Sequence, residues 1–387
     1  MNKKEIAEIR KQFTPANCAI TRICGCYVDG DKNKITEFKE AFLSLPEEEM
    51  FKYFEILRKA LSGTMGKNLL NMDFPLEQEK EGGSQSFLLS LRDDACQDDQ
   101  LLSGYYDRII SSYDYPENYL ILVIHAAYDI PGKARDNSEM FDASDEVFSF
   151  ILTCICPVSL TKPGLSYDAG ENCFHNRIRD WVVGMPDLGF LFPSFNERST
   201  DIHSILYYTR NGNELHSEFT DGILGCSHPL PSETQKEVFT ALVEEALGEH
   251  CDFETVQGLH QQLHELSEQQ KDSPDPVSLD QGEIKNLLVL AGASEETLEH
   301  FDRHFEHAAG EDTEFSAANI INTRKFEVTT PDVSIRISAD RSDLIEKRIV
   351  DGRACLVIPI TDEVTVNGIR VRNEPGSADS DGRKENS

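Results

Sequence analysis

Five polar residues within one stretch could hold a ligand: Arg177, Arg179, Asn196, Arg198 and Asp201. Arg177 and Arg179 precede the run GMPDLGFLFPSFNERSTD at 184–201, and Asn196, Arg198 and Asp201 lie within it. Its glycines, prolines and aromatics predict an irregular apolar loop, and a loop positioned by a sheet often carries binding groups. Arginine offers a planar donor fork to a carboxylate or phosphate. Asp201 could orient such an arginine or accept from a ligand donor. Glu197 and Asp201 could do acid–base chemistry only if they converge on a ligand. The plainer reading is a packing loop between domains, tied down by surface ion pairs.

Cysteine and histidine are the next residues with chemistry. Cys24 and Cys26, Cys154 and Cys156, and Cys173 and His175 each recur at i,i+2. Structural zinc wants about four ligands at roughly 2.0–2.3 Å, usually from CxxC pairs. On a strand, i and i+2 share one face, so these cysteines read as core. His300, His304 and His307 form a helical stripe, and His260 and His264 form a pair. Neither is an HExxH motif. No metal and no cofactor is expected. The chain lacks GxxxxGK[ST], the Rossmann glycine fingerprint and GxSxG. Ser62 to Lys67 (SGTMGK) only superficially suggests a phosphate loop.

Elements must position these groups. Ile6, Ile9 and Phe13 predict a first helix, and Cys18 to Val28 a strand before an Asp29-Gly30 turn. A helix follows Pro46. Tyr119 to Ala127 is nearly all apolar and predicts a central strand covered on both faces. Val147 to Cys156 and Asp201 to Arg210 predict two more, with Asn211-Gly212 read as a hairpin turn. Residues 231–320 carry 21 acidic and four basic residues, a local charge of −17. Their periodicity is helical, with Ser232 and Gln235 at the capping-box interval and Ser294 as a further cap. Asp351-Gly352 and Asn367-Gly368 predict hairpins near the C-terminus.

The fold class is therefore α+β, with a mixed or largely antiparallel sheet core, an acidic helical region and a small C-terminal β-rich module. The expected division is 1–230, 231–320 and 321–373, with a disordered tail at 374–387. The chain has 387 residues and a formal charge of −32. That charge disfavours a nonspecific nucleic-acid binder. No apolar run is long enough for a membrane helix. The opening residues do not read as a signal peptide, so a cytoplasmic location is expected.

Several long phrases resemble an uncharacterised conserved bacterial family, a domain of unknown function found mainly in anaerobic Firmicutes and Clostridia. They are TRICGCYVDG (21–30), LSGTMGKNLL (61–70), YDIPGKARDN (128–137), CPVSLTKPGLSY (156–167), WVVGMPDLGFLFPSFNERSTDIHS (181–204) and KFEVTTPDVSIRI (325–337). The resemblance implies a bacterial cytoplasmic protein and brings no catalytic residues with it. The expected function is noncatalytic binding or regulation, with a protein partner or a small anionic ligand. The alternative is a hydrolase or nucleotide-processing enzyme using residues 171–201. The oligomeric state stays open.

Overall fold

The computed structural model describes residues 1–133, 139–140, 146–226, 229–270, 273–293, 295–310, 313–322, 324–360 and 364–371. The expected tail at 374–387 and the Ser294 cap lie outside the described residues. The central sheet is built from β1 (Ile20–Val28), β2 (Lys34–Ala41), β3 (Leu69–Asp73), β4 (Tyr119–Asp129), β5 (Val147–Leu160), β6 (Trp181–Val183), β7 (Leu188–Phe192) and β8 (Ser204–Thr209). Its order is β2-β1-β4-β5-β7-β8-β3, with β6 also pairing β5. Every one of these pairings is antiparallel.

Two apolar runs set this arrangement. β4 and β5 pair from Tyr119 opposite Pro157 to Asp129 opposite Val147. Even-numbered residues of β4, such as Leu122 and Ile124, face one core, and odd-numbered ones, such as Ile121 and Val123, face another. Strand alternation makes both faces apolar, so both need a cover. The first is covered by α1 (Lys3–Lys11) and α2 (Glu47–Ala60), through Ile6, Ile9, Phe54 and Leu57. The second is covered by α3 (Ser84–Asp93) and α4 (Asp99–Ser112), through Leu88, Leu91, Tyr105 and Ile109. Cys24 and Cys26 share the second face, and Cys154 and Cys156 the first; all four are fully buried.

Helices α5 (Ser232–Leu247), α6 (Phe253–Gln269), α7 (Gln281–Leu290) and α8 (Glu295–Ala308) close around a third core containing Leu242, Leu263, Leu288 and Phe305. A capping box forms at Asp280 and Glu283. The one expected at Ser232 does not form. Ser232 Oγ donates instead to Asn213 Oδ1 at 2.5 Å, and Gln235 Nε2 reaches back to the Leu230 carbonyl.

The C-terminal strands form three separate two-stranded ribbons. Asp351 and Gly352 both have positive φ, as do Asn367 and Gly368. That is what a two-residue primed hairpin turn requires. The first ribbon, Lys325–Thr329 with Ser334–Ser338, rests on α6, where Phe326 meets the His260 ring at 4.9 Å.

Two expectations need correction. Residues 171–201 are not an irregular loop. Cys173–Asn176 pairs with Leu165–Asp168, β6 pairs with β5, and β7 lies inside the main sheet. Phe190, Phe192 and Phe195 are fully buried, so the aromatics belong to the core. Asn211-Gly212 does not join two paired strands. It leads into the short helical turn Ser217–Phe219, and the neighbours of β8 are β7 and β3. Neither residue has positive φ. Gly212 is needed for close approach instead, because a Cβ there would lie 2.8 Å from the Lys67 carbonyl oxygen.

A glycine in the sheet centre tests the packing. A Cβ on Gly189 would sit 2.5 Å from the Thr153 carbonyl oxygen. Gly189→Ala should lower the urea-unfolding free energy by about 2–3 kcal/mol, the scale of overpacking a rigid core. A loss below about 0.5 kcal/mol would contradict the strand spacing described here.

Candidate functional site

The five residues singled out from the sequence do not meet. Arg177 and Arg179 are exposed. Arg177 N–H donates to the Gly164 carbonyl, and Arg179 Nε to the Thr161 carbonyl at 2.7 Å, just past the end of β5. Arg198 lies near the other end of that strand. It pairs with Glu8 at 3.1 Å, donates to the Pro131 carbonyl at 3.3 Å, and its neighbour Ser199 donates to Glu146. A 14-residue strand is roughly 45 Å long at about 3.3 Å per residue. No single small ligand spans that.

Asn196, Arg198 and Asp201 share one small hairpin, Ser194–Asn196 with Ser199–Asp201, whose turn places Glu197 and Arg198 at positive φ. Asp201 accepts from Asn196 Nδ2 at 2.6 Å, Ser204 Oγ at 2.8 Å and His203 N–H at 3.0 Å. Burial pushes its carboxyl pKa up, but these donors outweigh it and hold the group below its ordinary value. Within the fold, these contacts fasten the hairpin.

A different polar cluster lies on the second face of the sheet. His125 is buried on β4, with Arg22 directly across on β1. Thr21 Oγ1 sits 2.6 Å from His125 Nδ1 and donates to the His125 carbonyl at 3.1 Å. A hydroxyl has one proton. With that proton on the carbonyl, Oγ1 must accept from Nδ1–H. Nε2 then carries the lone pair and accepts from the Ser149 hydroxyl at 2.9 Å. Burial pushes the imidazole pKa down, and Arg22 and Arg92 push it further, against Asp93. The ring is held neutral, with its tautomer assigned by its neighbours.

At the far end of the same face, Asp187 accepts from Tyr113 Oη at 3.1 Å and lies 3.6 Å from His216 Nε2 and 3.8 Å from Arg210 Nε. The carboxylate is enclosed by its own partners. Among the described residues, no three His, Cys, Asp or Glu side chains are grouped to hold a metal ion.

A cleft of about 630 Å³ lies between β3 and the acidic helices. Its walls include Asn71, Met72, Asp73, Gln235, Glu314 and Ser316, and no Lys, Arg or His among the described residues. Among the described strands β3 pairs only with β8, with one further bridge from Leu69 to Met65. Phe74 N–H bonds the His203 carbonyl, and Thr209 N–H the Asn68 carbonyl. Antiparallel alternation then turns Leu70 and Met72 toward β8. The main-chain N–H and C=O of Asn71 and Asp73 point to the open edge, where they have no partner among the described residues. The cleft walls are joined by an amide cluster. Asn319 Nδ2 donates to the Gly66 carbonyl at 2.7 Å and to Gln235 Oε1 at 3.0 Å, and Ser316 N–H donates to the same Oε1. The sequence offered no sign of this cleft, because its walls lie far apart in the chain. The signal for the other cluster was present: a lone basic residue within each of two otherwise apolar strands.

The neutral His125 ring has a consequence for acid stability. Its folded pKa lies below the ordinary value of 6.5, so the unfolded chain binds the proton more tightly. The stability this ring contributes is full above about pH 6.5 and is lost as pH falls. His125→Gln should flatten the decline of the urea midpoint between about pH 7 and pH 5. An unchanged slope would assign the acid sensitivity to His216 and His260, whose pKa values burial also lowers.

No curated protein and no solved structure matches the chain. One family model does, over residues 1–369, described as a domain of unknown function (DUF4317). That span takes in the sheet, the acidic helices and the C-terminal ribbons, so the chain belongs to this family as a whole.

Proposed function

We propose that the protein is a noncatalytic binding protein, bacterial and cytoplasmic, whose cleft receives an extended basic segment of a protein partner as an added strand on β3. The observation that carries this reading is the open edge at Asn71 and Asp73. Unpaired main-chain groups lining a cleft are a template for strand addition, with affinity from the main chain and selectivity from the side chains. The expected sign of the partner follows from the walls. Asp73 and Glu314 line the cleft, and no Lys, Arg or His lines it among the described residues. The Met1 amino group, held by Asn71 Oδ1 at 2.9 Å, lies in the field of Glu5, Asp201, Asp275 and Asp73. A lysine or arginine in the added segment would meet that same field. Among the five residues expected from sequence to bind ligand, Asp201 is thus the one whose charge reaches this margin.

A small anion held by Arg177, Arg179, Asn196, Arg198 and Asp201 has less support, since those groups divide between two ends of β5. The hydrolase or nucleotide-processing reading shares that weakness. The peptide reading is testable by selecting random decapeptides on the full-length protein. Selected peptides should be rich in Lys or Arg and in β-formers. Asp73→Lys should weaken them at least tenfold, about 1.4 kcal/mol. Asp73→Pro, which also removes an edge donor, should abolish binding at an unchanged melting temperature. Peptides that bind Asp73→Pro as well as wild type would defeat the proposal.

A further inference from the structure

We infer that Arg22, His125 and Ser149 form a binding site for a small tetrahedral oxyanion, separate from the cleft and independent of the peptide reading. The juxtaposition is set by strand register. Arg22 on β1 stands opposite His125 on β4, and Ser149 on β5 touches the far nitrogen of the His125 ring. Three neighbouring strands thus present a guanidinium, an imidazole and a hydroxyl on one face of the sheet. Arg92, at the end of α3, adds a second guanidinium within electrostatic range of the ring.

Arg22 is the unusual member. Other basic side chains at the margins of the sheet are ion-paired: Lys34 with Asp107, Arg92 with Asp93, and Arg198 with Glu8. The Arg22 side chain has no ion pair or hydrogen bond among the described residues, and its Nε is buried without a partner. The nearby carboxylate Asp93 is paired with Arg92, and no carboxylate pairs with Arg22 among the described residues. A partly buried guanidinium with an unsatisfied donor is costly, and a bound oxyanion would satisfy it. The site is accessible on one side: Thr21 is exposed, and Arg22 and Ser149 are half-buried.

The hydroxyl responds to the ligand. In the free protein the Ser149 proton points at His125 Nε2. A bound anion favours the charged imidazolium, which takes its proton from dihydrogen phosphate or from water. Nε2–H then donates to Ser149 Oγ, which leaves the Ser149 O–H free to donate a hydrogen bond to the anion. The charged groups facing the ring are Arg22, Arg92 and Asp93. The two guanidinium groups disfavour the imidazolium while the site is empty. A dianion held by Arg22 would reverse that balance.

Inorganic phosphate is the probe, titrated calorimetrically into the full-length protein at constant ionic strength, with sulfate in parallel. Both should bind, and the His125 imidazole pKa, read by NMR, should rise on phosphate addition. Arg22→Met should weaken phosphate at least tenfold without lowering the melting temperature, and Arg22→Lys should restore part of the loss. Arg177→Met, on an exposed arginine away from the cluster, should leave binding unchanged. Equal phosphate affinity in wild type and Arg22→Met would overturn the inference. So would a heat signal that sodium chloride reproduces, or a His125 pKa that phosphate does not move. If Arg22→Met fails to fold, the wild-type His125 titration decides alone.

Discussion

The long antiparallel pairing of β4 with β5 constrains nearly everything else in the molecule. Both strands are apolar on both faces, so neither face can be left to water. Each fully buried Leu, Ile or Phe contributes about 1.5–3 kcal/mol. Every helix of residues 1–112 is used to cover one face or the other. Polar groups caught between the layers must find partners inside. Thr153 does so at 2.7 Å from Tyr105 Oη on α4. His125 does so between Thr21 and Ser149. A buried hydrogen bond of this kind contributes about 1 kcal/mol, whereas leaving its groups unpaired costs more.

An open sheet has two edges, and this one treats them differently. β2 is the edge beside β1, and its sequence KITEFKEA alternates lysines and glutamates. Lys34 and Lys39 are ion-paired to α4 through Asp107 and Asp99. Charge on an edge strand discourages another strand from pairing there. β3 is the opposite edge, short and without a lysine, and it faces the cleft instead of bulk solvent. The acidic helices shield it from indiscriminate pairing but leave room for a slender segment. That difference makes β3 the more selective template.

Local signals in the sequence agree with the fold, whereas contacts between distant residues leave little trace in it. The strands around 119–127 and 147–156, the helix after Pro46 and the Asp351-Gly352 hairpin follow from periodicity or from a dipeptide that acts alone. The α+β class follows from them. Residues 184–201 misled because Gly, Pro and Phe mark both a loop and a short strand at the centre of a sheet. Ser232 misled because Asn213, distant in sequence, takes its hydroxyl. The five proposed binding residues are close in the chain, but an extended strand carries its ends far apart. Proximity in sequence is informative on a helix and much less so along β5. Arg22 and His125 were visible as interruptions of apolar strands. Their meeting required the β1–β4 register, which neither strand encodes alone.

The charge distribution sharpens this contrast. A net −32 sets the field at long range, but salt screens it over roughly 8 Å at physiological ionic strength. Within that distance only neighbours matter. At the cleft the neighbours are Asp73 and Glu314, so the local sign agrees with the global one, and a cationic segment of the proposed kind would be drawn in and then held. At the His125 cluster they are Arg22, Arg92 and Asp93; Asp93 offsets Arg92, so the unpaired charge is that of Arg22 and the local sign opposes the global one. A polyanion would be repelled before reaching it, whereas a small oxyanion would feel the repulsion only weakly and the unpaired Arg22 guanidinium fully. One acidic surface can therefore admit ligands of opposite charge at two margins of one sheet, provided the anionic ligand is small.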